Sequence, residues 1–145
     1  MKLWIDTEFN GFKGSLLSIA LVDETGHSFY QVTHCGERID PWVRDHVIPV
    51  PHKEAVPLHL LKSKLSAFLL AYDHIHVIAD WPDDIRHFCD LLITAPGQRI
   101  DAPPLTMEIR RDLDGAISKI PHNALEDALA IRAEYLRLTA CNIPF

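Results

Sequence analysis

The sequence predicts an α/β domain: a mixed five-stranded sheet with helices packed on it, in the order β-β-β-α-β-α-β-α. Three observations lead there. The first third holds short apolar or alternating segments separated by turn residues. From Leu58 onward, apolar residues recur at helical spacing. Between two such helical stretches lies a short β-rich segment, residues 75–79. At 145 residues the chain is too short for two ordinary domains, so 1–145 reads as one.

Each element has its own signal. Residues 2–9 set Leu3, Ile5 and Thr7 against Trp4, Asp6 and Glu8, and Asn10-Gly11 follows as a turn. Residues 16–22 are an apolar run suited to a buried central strand, and Asp23-Glu24-Thr25-Gly26 turns the chain. Residues 27–33, with Phe29, Tyr30 and Val32, complete a hairpin. Four of the ten prolines fall in 41–57, which predicts a mostly irregular connection. Leu58, Leu61, Leu65, Phe68 and Leu69 then mark a helix opposite Lys62 and Lys64. Asp80-Trp81-Pro82 opens a second helix carrying Ile85, Phe88, Leu91 and Leu92. The fifth strand falls either at Ile100 or in 105–109. Residues 123–138 form the last helix, with Leu125, Ala128, Leu129, Arg132 and Leu136 along one stripe.

Composition narrows the function. Twenty acidic against fourteen basic residues give a formal net charge of −6. That balance argues against gripping duplex nucleic acid by phosphate neutralisation alone. It leaves room for a site where bound cations supply the positive charge. Three scattered cysteines, with no Cys-x-x-Cys pair, suggest neither a disulfide framework nor a cysteine zinc site. Asp6 and Glu8 interrupt any secretory apolar run, and the apolar stretches are too short to span a bilayer, so no membrane association and a cytoplasmic location are expected.

Three acidic segments carry the chemistry. Asp6 and Glu8, two apart on a strand, project from one face and repel each other unless a cation lies between them. In Asp80-Trp81-Pro82-Asp83-Asp84, three carboxylates crowd a helix start, one more than capping requires. At the third, Asn123 is an N-cap and Glu126 completes a capping-box pattern. This places His122 just before the cap and Asp127 four residues after it, two positions that meet at a helix entrance. His74-x-His76 reads as a structural or surface pair, since no third ligand accompanies it.

Asp6-x-Glu8, Asp84 and His122-x-x-x-x-Asp127 resemble the three motifs of the DEDDh exonucleases, on a ribonuclease H-like fold. The likeness is strongest to the short bacterial 3′→5′ exoribonuclease group. Asp6-Thr7-Glu8-Phe9, Leu16-Leu17-Ser18-Ile19 and Pro41-Trp42-Val43-Arg44 carry it, and it runs over nearly the whole chain. The middle motif departs from the usual Asn-x-x-Phe-Asp, with Asp84 at the metal-binding position and Asp80 or Asp83 as alternatives.

The resemblance implies a two-metal hydrolase holding Mg²⁺ or Mn²⁺ through Asp6, Glu8, Asp84 and Asp127, oxygen ligands that suit hard cations. His122 would be the general base, a role suited to a side chain that changes charge near neutral pH. Phe9 and Asn10 would contact substrate, Phe9 by stacking on a base or else packing in the core. The implied substrate is a single-stranded RNA 3′ end or overhang, with DNA not excluded, and the product a nucleoside 5′-monophosphate. A homodimer extending the binding surface is the implied assembly. Two other readings stay open: a ribonuclease H-like endonuclease, and a non-catalytic nucleotide- or RNA-binding module.

Overall fold

The computed structural model describes residues 1–113 and 118–141. Their elements run β1 (Lys2–Phe9), β2 (Leu16–Asp23), β3 (Ser28–Thr33), α1 (Pro41–His46), β4 (Ala55–Val56), α2 (Leu58–Leu69), β5 (Ile75–Ala79), α3 (Pro82–Leu92), β6 (Ile93–Ala95), β7 (Gln98–Arg99), β8 (Leu105–Ile109) and α4 (Ala124–Cys141). The fold is α/β with a mixed sheet of six strands, in the order β4-β3-β2-β1-β5-β8. β1, β2 and β3 form an antiparallel meander, and β5 and β8 continue parallel to β1.

The sheet exceeds the expected five strands because Ala55–Val56 adds a two-residue parallel edge to β3. The stretch 41–57 is also less irregular than its prolines suggest. Pro41 takes the first turn of α1, where a missing N–H costs nothing, and Asp40 caps that helix by accepting from the Trp42 and Val43 amides. Residues 105–109 supply the last sheet strand, while β6 and β7 form a separate small hairpin.

Both sheet faces are covered, which explains why β2 is buried along its whole length. On one face Leu3, Ile5, Ile19 and Leu21 meet Leu61, Leu65 and Leu69 of α2 and Phe88 and Leu91 of α3. On the other, Trp4 and Ile78 meet Ile131, while Ala20 and Val22 meet Ala124 and Ala128. The buried stripe of α4 is therefore Ala124, Ala128 and Ile131; of the expected stripe, Leu136 is exposed. The small alanines let α4 sit close on the sheet. No described helix is long and apolar enough to cross a membrane.

The turn after β1 is tightly built. A Cβ on Gly14 would lie 1.8 Å from the Asn10 carbonyl oxygen, so no larger residue fits without moving backbone. Gly14→Ala is expected to lower stability by about 1–3 kcal/mol, read as a shifted denaturant midpoint at unchanged slope.

Candidate functional site

The site forms where β1 outruns its neighbour. β1 pairs with β5 through Lys2, Leu3 and Trp4, and the pairing then stops. Beyond it, the Thr7 N–H is taken by a side chain: Asp84 Oδ1 accepts from Thr7 N at 3.0 Å and from Thr7 Oγ1 at 2.6 Å. The start of α3 is thus fastened to the end of β1. A bulge between Glu8 and Phe9 ends the regular pairing with β2.

Five carboxylates converge there. Asp6, Asp80 and Asp84 offer oxygens within 4.8 Å of one another, and so do Asp6, Glu8 and Asp127. The two triads share Asp6. Asp80 joins the cluster alongside Asp84, whereas Asp83 turns away, accepting from Trp81 Nε1 at 2.9 Å and Arg86 Nε at 3.0 Å. Asp84 is buried, and α3 starts at Pro82, which places its first turn beside the end of β5.

The electrostatics are those of crowded acids. Burial, then the Asp84, Glu8, Asp127 and Asp80 charges, hold the Asp6 carboxyl well above the usual range. Burial and the neighbouring Asp127 push Glu8 up to about 8, and the two carboxyls hydrogen-bond each other. Burial raises Asp84 to about 7 against the opposing Thr7 hydrogen bonds. Asp127 is raised too, chiefly by burial.

A cation fits this donor set. Asp6 Oδ2 is buried with no hydrogen-bond partner among the described residues. Asp23 shows how the same chain treats a structural acid. Burial alone would raise it, but hydrogen bonds from Thr25, Tyr72 and His27 bring its pKa below the ordinary value. The Asp6 cluster lacks that provision. It offers hard oxygens alone, the set that Mg²⁺ and Mn²⁺ take. Two divalent cations would offset most of the formal net charge of −6.

His122 lies at the rim. Asn123 caps α4 as expected, its Oδ1 accepting from Leu125 N at 3.1 Å and Glu126 N at 3.2 Å. The reciprocal half of the capping box is replaced, because the Asn123 N–H donates to the Ile120 carbonyl. This tight turn puts His122 at a φ of 64° and its Nδ1 4.0 Å from Glu8 Oε2. His122 and Asp127 thus reach Glu8 from the same helix entrance.

Phe9 and Asn10 sit differently from their neighbours. Phe9 lies 5.1 Å, centroid to centroid, from the ring of buried His87, whose pKa burial lowers to about 4. The Asn10 side chain is engaged by the following loop: Nδ2 donates to Glu37 Oε1 and the Arg38 carbonyl, and Oδ1 accepts from Asp40 N. Asn10 therefore anchors the segment that leads into α1. The two ring nitrogens of His76 are held by Thr106 and Glu108, which accounts for His74-x-His76 without a metal.

Trp42, on α1, is the functional neighbour that sequence reasoning left between loop and site. Its ring meets His122 edge-on, with centroids 5.3 Å apart and planes at 90°, and stacks on His46 at 4.5 Å. The signal lay in Asp40-Pro41, a cap and first-turn pair that announces a helix. Trp42→Ala is expected to lower kcat for nucleic-acid hydrolysis by about 10–100-fold with Mn²⁺ affinity unchanged, because a misplaced base loses its attack geometry. Steady-state kinetics beside a metal-binding isotherm check it.

No protein-family model matches the chain, and no curated protein matches it.

Proposed function

We propose that the protein is a metal-dependent 3′→5′ exonuclease of the DEDDh kind on a ribonuclease H-like fold, acting on single-stranded RNA ends. One observation carries the reading: two carboxylate triads share Asp6, and a histidine stands at the Glu8 side of the pair. The mixed sheet with helices on both faces is compatible with that fold.

Asp6, Glu8 and Asp127 would hold one cation, and Asp6, Asp80 and Asp84 the other. Bound Mg²⁺ or Mn²⁺ supplies Lewis acidity at the phosphorus and draws a phosphate into an acidic cleft. The chain's own part is to fix the geometry and move a proton. Thr7 locks Asp84 to β1, and the N-cap of α4 sets the distance between Asp127 and His122. His122 takes the proton from the attacking water. Water adds to phosphorus and the 3′-oxygen leaves, so the product is a nucleoside 5′-monophosphate.

Digestion of 5′-labelled RNA, with and without a 3′ overhang, in Mg²⁺, Mn²⁺ or EDTA tests this. A ladder that shortens from the 3′ end only with metal is the expected result. Internal cuts, or cleavage of a 3′-phosphate-blocked strand within its length, would replace the reading by an endonuclease. Tight monophosphate binding without turnover would replace it by a binding module.

A further inference from the structure

Tyr30 points at the same centre from two strands away. Tyr30 pairs with Ala20 and Ala20 with Asp6, so Tyr30 shares the α4 face of the sheet with Asp6 and Glu8. The next row towards the site is Val32–Ser18–Glu8. Between Tyr30 and Glu8, β2 thus presents only Ala20 and Ser18. Ala124 and Ala128 of α4 cover the same ground from above, with Tyr30 packed against them. Four small side chains leave a corridor across β2. Its width is two strand spacings, about 9.5 Å, a span that a tyrosine and a glutamate side chain close together.

The phenol is held in that corridor from outside. Lys53 Nζ donates to the Tyr30 carbonyl at 2.6 Å and lies 5.4 Å over the ring. At the inner end, the hydroxyl is buried and has no hydrogen-bond partner among the described residues. A buried donor left unpaired is costly, and a native fold keeps one where some state of the site uses it. Burial and then the Glu8 charge raise the Tyr30 pKa to about 12, which puts Glu8 within electrostatic reach.

We infer that Tyr30 is a positioning residue of the acidic centre, whose hydroxyl donates to the Glu8 carboxylate when that group is ionised. Without a cation, Glu8 is satisfied by its hydrogen bond with Asp127. Ionising both acids to serve a cation removes the shared proton, and Glu8 then needs another donor. Tyr30 is the buried phenol on that face with an uncommitted proton. A donor behind a ligating carboxylate fixes its orientation, and its loss characteristically weakens metal binding. The inference rests on the metal-centre part of the proposed function and not on the nuclease activity.

Mn²⁺ titration calorimetry and thermal melts in EDTA, on the full chain and on Tyr30→Phe, test it. Tyr30→Phe should weaken Mn²⁺ binding about tenfold and leave the metal-free midpoint unchanged or higher. Equal Mn²⁺ affinity in the two proteins would overturn the role of Tyr30. A lowered metal-free midpoint would do the same, assigning the hydroxyl to the fold. Absence of Mn²⁺ binding in the unmodified chain would instead overturn the metal centre itself.

Discussion

Asp6→Asn is expected to abolish metal-dependent hydrolysis and, at the same time, to stabilise the metal-free protein. Asp6 is shared by both carboxylate triads, so its loss removes an anionic ligand from each. A fall in kcat of about 10³-fold or more follows, the scale for removing a member of an interdependent set. Stability moves the other way, because the substitution relieves the charge crowding that raises Asp6, Glu8, Asp84 and Asp127. A gain of about 1–2 kcal/mol, or roughly 3–8 °C in the midpoint, is expected for a chain of this size.

The pH dependence has the same origin. Glu8 at about 8 and Asp84 at about 7 stand above the ordinary carboxyl range near 4. The folded protein therefore holds protons that the unfolded chain releases. Their contribution to stability is fully present below about pH 4 and is lost as pH rises through 7 to 8. Melts in EDTA should show the midpoint falling between pH 5 and 8, with a shallower fall in Asp6→Asn. Mn²⁺ should restore it by mass action. A lower midpoint in Asp6→Asn, or turnover that survives it, would sink the shared-ligand assignment.

His122→Asn should lower kcat by about 10²–10⁴-fold, the usual contribution of a general base, while Mn²⁺ affinity and the fold persist. Asparagine is chosen because His122 has a φ of 64°, a backbone conformation that asparagine adopts readily. His122 is not one of the five converging carboxylates, so metal binding does not depend on it. Its side chain is 42% exposed, which leaves a path for a small base from solvent. Added imidazole should therefore restore part of the lost rate. An unchanged kcat would remove His122 from the proton transfer.

The long elements and the acidic motifs were legible because each rests on a local pattern. β1, β2, β3 and α2 follow directly from alternation, apolar runs and helical spacing. Asp6 and Glu8 share a face because strand geometry requires it. The shorter elements were hidden by composition: the prolines masked α1, and two residues, Ala55–Val56, are too few to pattern as an edge strand. The stripe of α4 was misplaced because its contact uses alanines, which carry little hydrophobic signal but permit close approach. Asp80 and Asp83 were indistinguishable by motif, since what separates them is tertiary: Trp81 and Arg86 engage Asp83, while Asp80 lies beside Asp6. The relation of Tyr30 to Glu8 needs the register of three strands, which no local pattern fixes.

The clasp between Thr7 and Asp84 joins positions 77 residues apart in sequence, and Asp127 arrives later still. A chain emerging from the ribosome thus displays Asp6 and Glu8 long before anything can partner them. Closing so long a loop is slow and gains nothing until the far segment is present. When α3 has docked, Asp6, Asp80 and Asp84 can meet, yet His122 and Asp127 still lie in the segment to come. The centre is therefore inert through most of synthesis, and the ability to cut RNA arrives with the docking of α4.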